Sequence, residues 1–180
     1  MRRVNAARRR SGSRVARSTT RALVAALLAA AVTAPAGAIE YVVAAGEFDV
    51  ENPLGDGPYE IGFVVRLLDA ELFEVSWAKL VPAFGVMATE DETIYGWGGL
   101  VLEIPVGRWR LLPMVGAGFY DKGDGRDLGG TFEFRSGLEV AVRPSERTSV
   151  GLEFYHLSNA GFHELNPGSN SIVVNFGFTP

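Results

Sequence analysis

A His and a Ser stand two residues apart in FYHLSNAGFHELNPGSN, residues 154–170, where an alternating apolar run gives way to a loop. A nucleophile beside a general base is the starting point of covalent hydrolysis. The same pair also suits the polar lip of a β-strand, where it would do no chemistry. Which reading holds depends on the face that His156 and Ser158 share, and so on the sheet that carries them.

Other chemistries find little support. The chain has no Cys, which removes thiol nucleophiles, thiolate metal sites and disulfides. No Gly-rich phosphate loop, zinc-ligand spacing or internal repeat is visible. Glu103, Glu133, Glu139 and Glu153 are too scattered for a glycosidase pair. Together with Arg110 and Arg135 they read as paired interior charges. His163 is the second of two His and has no partner at useful spacing.

The elements that must position the pair begin after residue 38. Residues 1–21 hold eight Arg and no acid, and are followed by the apolar run ALVAALLAAAVTA and then APAGA. This is the pattern of an export signal cleaved after Ala38. The apolar run is shorter than the roughly 20 residues of a spanning helix. A mature domain over 39–180 is expected. Without those eight Arg, nine Lys and Arg face 21 Asp and Glu, a net charge of −12. Nucleic-acid binding, which needs a basic surface, is disfavoured.

No segment after Ala38 has a helical period. Strands are expected near 40–50, 58–68, 74–88, 93–104, 108–119, 131–143, 147–158 and 170–179. The connections alternate. ENPLGDGP, TEDE, YDKGDGRDLGG and NAGFHELNPGS are on average longer than DAELF, PVG and PSE. Eight antiparallel strands suit a soluble barrel or a transmembrane one. Phe132, Phe134, Leu138 and Val140 share one parity, and Glu133, Arg135 and Glu139 the other. A soluble barrel turns the apolar face inward; a transmembrane barrel turns it toward lipid. The export signal, the alternating connections and the aromatic last strand favour the all-β, eight-stranded antiparallel transmembrane barrel of the outer membrane. Trp77, Trp97, Trp109, Tyr95 and Tyr120 are candidates for its interfacial girdles.

Residues two apart in a strand share a face, so His156 and Ser158 continue the parity of Val150, Leu152 and Phe154. In a transmembrane barrel both face outward. Asn170, with the parity of Ile172 and Phe176, joins them from the next strand. One account is that the strands have reached the headgroup level, where polar groups cost little. The other is a nucleophile, a base and a group that orients the base.

HLSNAGFHELNPG resembles the motif region of the lipid A 3-O-deacylase (PagL) family, outer-membrane hydrolases with a His-x-Ser-Asn stretch followed by Asn-Pro-Gly. The resemblance is specific over residues 154–172. It implies an eight-stranded barrel with a lipid-facing site that removes the acyl chain ester-linked at the 3-position of lipid A, without cofactor. It implies Ser158 as nucleophile, His156 as base, and Asn159, Gly161 and Asn166 as support, the last two toward the oxyanion. The family's acid, fourteen residues after the His, is replaced by Asn170; Glu164 in the loop is the alternative acid. The implied partners are lipopolysaccharide and the outer membrane, and the sequence leaves a homodimer open. The rival from another class is a non-catalytic barrel with a structural or lipopolysaccharide-binding role. A soluble periplasmic barrel holding a lipid inside is the third reading.

Overall fold

The computed structural model describes residues 39–51 and 57–180; the export signal expected over 1–38 lies outside them. The strands are β1 (Ile39–Glu47), β2 (Tyr59–Leu67), β3 (Phe73–Val75), β4 (Ala78–Thr89), β5 (Ile94–Val106), β6 (Trp109–Asp121), β7 (Phe132–Val142), β8 (Thr148–Ser158) and β9 (Ser169–Phe178). Every pairing is antiparallel. β1 joins β9 and β2 joins β4, so the eight long strands close into a barrel. Closure leaves no long unpaired edge.

The short β3 departs from the expected continuous strand over 74–88. Phe73–Val75 folds back on β4 as a hairpin, with Phe73 opposite Leu80 and Val75 opposite Ala78. Ser76 and Trp77 make the turn. That turn contains no Gly, Pro or Asn, so no strong breaker residue marks the reversal.

The two faces separate as a transmembrane barrel requires. Leu152, Phe154, Val174 and Phe176 lie on the outer wall, each about half exposed. The buried faces carry Glu40, Arg66, Glu103, Arg110, Arg135, Glu139 and Glu153 instead. This inversion overturns the soluble-barrel alternative, because water outside would meet the apolar wall and the charges would sit in the core.

An eight-stranded barrel is just wide enough for side chains to fill, and here they are charged. Arg66 Nη1 donates to Glu40 at 3.0 Å and its Nη2 to Glu139. Arg110 bonds Glu40 at 2.7 Å and Glu103 at 3.0 Å. Asn175 donates to both Glu139 (2.8 Å) and Glu153 (3.0 Å), and Ser149 to Glu40 (2.7 Å). Arg135 pairs with Glu153 and stacks over the Tyr155 ring. Charges removed from water are tolerated only when paired in this way. Glu133 is the exception to the expected pairing. It faces inward, yet neither carboxylate oxygen has a hydrogen-bond partner among the described residues.

The expected girdle is also corrected. Tyr95, Trp97 and Tyr120 have inward parity and fill the lumen at 0%, 6% and 3% exposure. Trp97 lies against Gly85 and Gly116, where a Cβ would collide with the indole. Only Trp77 and Trp109 of the five stand exposed, both at the end of the short turns.

Candidate active site

His156 and Ser158 lie at the loop end of β8, on the outer wall, and both are partly exposed. His156 is directly opposite Asn170 of β9 on one side and Ser136 of β7 on the other. Ser158, the last residue of β8, is opposite Phe134. Strand pairing thus brings His156, Ser158 and Asn170 to one outward patch, as parity predicts.

His156 Nδ1 bonds Asn170 Oδ1 at 2.8 Å. An amide oxygen only accepts, so Nδ1 is the donor, and in the neutral ring the lone pair is left on Nε2. This is the tautomer a general base needs. The Asn cannot, however, offset the charge of an imidazolium. The hydroxyl of Ser158 has no hydrogen bond to His156 or to any other described residue.

Gly168 backs the ring. Its φ is +64°, and a Cβ there would sit 2.6 Å from His156 Cε1 and 3.2 Å from Nε2. Glycine is required both for the left-handed backbone and for the close approach. Gly168→Ala should lower stability by about 1–2 kcal/mol through the backbone alone. It should also move the imidazole resonances of His156 in NMR spectra; unmoved resonances would show that the ring is not held from this side.

The loop over 159–168 is built around Asn159, whose side chain is fully buried. Its Nδ2 donates to Leu128 O (2.9 Å) and Leu165 O (2.8 Å), tying this loop to the one after β6. Its Oδ1 accepts from Gly161 N–H at 3.0 Å, across a turn in which Ala160 and Gly161 both have positive φ. Asn166 Oδ1 accepts the Asn159 N–H at 3.1 Å. Asn166 is exposed, and its Nδ2 donors are unengaged among the described residues. The Gly161 amide is already occupied.

Glu164 is exposed and forms no hydrogen bond or ion pair with His156. His163 packs on Gly130 of the neighbouring loop, consistent with a loop residue. Phe162 closes an outward aromatic run through Phe134, Phe132 and Phe119, with neighbouring ring centroids 5.3–5.9 Å apart. Ser136, Phe119, Phe132 and Phe134 are site neighbours that the motif alone does not reveal, and the motif does not show that its Gly168 packs on the His156 ring. The parity of β7 turns Ser136 outward, but only the β7–β8 register sets it beside His156.

Residues 100–179 match the family model described as lipid A 3-O-deacylase (PagL). The resemblance seen in residues 154–172 therefore holds, and it reaches back through β6 and β7. Among solved structures, the crystal structure of the outer membrane enzyme PagL is similar with a TM-score of 0.61 and 17% identity. It covers 78% of this chain and 99% of that one. A de novo designed transmembrane β-barrel gives 0.53 at 14% identity, covering 82% and 98%. Neisserial surface protein A gives 0.50 at 6%, covering 79% and 96%. At these identities the structures speak for the fold, a barrel of the outer-membrane type. No curated protein matches.

Proposed function

We propose that this barrel, similar over residues 100–179 to the PagL family, is an outer-membrane esterase that removes the 3-O-linked acyl chain of lipid A. The observation that carries the reading is the His156–Asn170 bond at 2.8 Å, on the same lipid-facing patch as Ser158. A polar cluster facing hydrocarbon is costly unless its groups are hydrogen-bonded, and the Ser158 hydroxyl has no partner among the described residues.

In this mechanism Ser158 Oγ attacks the ester carbonyl carbon and His156 Nε2 takes its proton. Asn166 Nδ2 donates to the oxyanion. The Gly161 amide joins it if it turns from Asn159 Oδ1. Collapse breaks the bond to the sugar oxygen, which receives the proton from His156. Water, deprotonated by the same Nε2, then releases the fatty acid from Ser158. All of these residues lie in one copy of the chain, so the chemistry does not call for a homodimer, and no cofactor enters. The lipid A of cells with and without the protein should differ in mass by one hydroxylated acyl chain. Identical spectra would overturn the activity.

The rival, a structural or lipopolysaccharide-binding barrel, draws on one specific observation: an uncharged Asn170 stands where the family has an acid. Asn170→Glu should raise the hydrolysis rate by about tenfold or more, since the carboxylate stabilises the imidazolium. No hydrolysis by either form would favour the structural barrel.

A further inference from the structure

The outward face of β7 reads Phe132, Phe134, Ser136, Leu138, Val140, Val142. Ser136 is its one polar side chain, exposed, with no hydrogen-bond partner for its hydroxyl among the described residues. It pairs directly with His156. An unpaired hydroxyl on a lipid-facing wall is a small but real cost, so its position calls for a partner from outside the chain.

The height of Ser136 identifies that partner. From the loop end toward the turns, the β7–β8 pairs run Phe134–Ser158, Ser136–His156, Leu138–Phe154 and Val140–Leu152. Sugars of a membrane lipid stay at the loop end, and its acyl chains descend along the wall. A chain whose carbonyl lies at Ser158 passes the Ser136–His156 row with its first carbons, then meets only apolar side chains on these two strands. Diagonal cross-strand neighbours lie about 7–8 Å apart, with their Cβ atoms somewhat closer. One bond from Ser158 Oγ to the carbonyl carbon, a short hydroxylated arm and a hydrogen bond of about 2.8 Å span that gap.

The geometry points to Ser136 as a specificity-determining residue that hydrogen-bonds a hydroxyl on the β-carbon of the scissile acyl chain. The inference rests on the esterase reading for the placement of the carbonyl at Ser158. A chain lacking that hydroxyl leaves Ser136 unsatisfied, which is how a site rejects an isostere missing a polar group.

The test compares two detergent-dispersed esters, one with a 3-hydroxydodecanoyl chain and one with a dodecanoyl chain. Wild type should prefer the first by about three- to tenfold in kcat/KM, the strength of one neutral hydrogen bond. Ser136→Ala should bring the ratio toward one, and Ser136→Thr should keep it. An unchanged ratio in Ser136→Ala, or an equal loss on both esters, would overturn the assignment. Binding provides a readout independent of turnover. 3-Hydroxydodecanoate should shift the His156 imidazole NMR signals more than dodecanoate does, and the difference should vanish in Ser136→Ala. Absent hydrolysis with this difference intact would remove the esterase and keep the hydroxyl site. Equal shifts from the two acids would remove the site itself.

Discussion

Ser158→Ala is expected to abolish lipid A deacylation by the purified protein, a loss of about 10³-fold or more. The barrel should remain as stable as wild type. Both halves of the expectation come from the same geometry. Ser158 lies at the end of β8 and its hydroxyl has no partner among the described residues, so its removal breaks no internal hydrogen bond. Chemistry is lost because water cannot take its place as a held nucleophile: the oxygen that must reach the carbonyl is fixed by the strand itself. Mass spectrometry of lipid A after incubation reads the activity, and the heat-dependent gel shift of folded barrels reads the fold. Deacylation at the wild-type rate would sink the nucleophile assignment. Lost activity together with a lost fold would show that Ser158 holds the barrel rather than the substrate.

The second large effect lies inside the barrel. Arg66→Met should destabilise by about 3–5 kcal/mol, the cost of leaving a buried charge uncompensated. Arg66 is 1% exposed and joins Glu40 to Glu139. Without it, Glu40 still has Arg110 at 2.7 Å and Ser149 at 2.7 Å. Among the described residues, Glu139 keeps only the amide of Asn175 at 2.8 Å. The damage should therefore concentrate at Glu139, and Arg66→Met with Glu139→Gln should recover at least half of the loss. Urea unfolding in detergent measures both, and the double variant isolates the pair. Additive losses would mean that Arg66 acts through bulk rather than charge.

Much of this was legible in the residues, because a barrel wall obeys a period of two. Parity alone separates Phe132, Phe134 and Leu138 from Glu133, Arg135 and Glu139, and it turns His156 and Ser158 outward. Turn residues bound most strands to within one or two positions. What escaped depends on features that parity does not encode. The β3 hairpin turns at Ser76–Trp77 without a breaker residue. Residue type suggests a girdle for Tyr95, Trp97 and Tyr120, whereas their parity sends them inside. Glu133 has the right parity for an ion pair, but pairing needs a cation at the same height, which only register supplies. In the site, Asn170 was legible from its spacing to His156. Ser136 required the third strand, and the contact of the motif's Gly168 with the His156 ring required the folded loop. Asn159 fits the motif, yet its buried side chain shows what the motif cannot: it stitches two loops together at Leu128 and Leu165.

The interior packed with arginine and glutamate has one more consequence. A filled cylinder offers no passage, so every encounter with this patch must take place on its outside wall, in a sheet of fluid rather than in solution. On the proposed esterase reading, reactant and product then stay in the same two-dimensional phase. The pace of such a site follows how crowded that sheet is with the reactant and how fast molecules drift sideways through it. Bulk concentration on either side of the membrane has little hold on it.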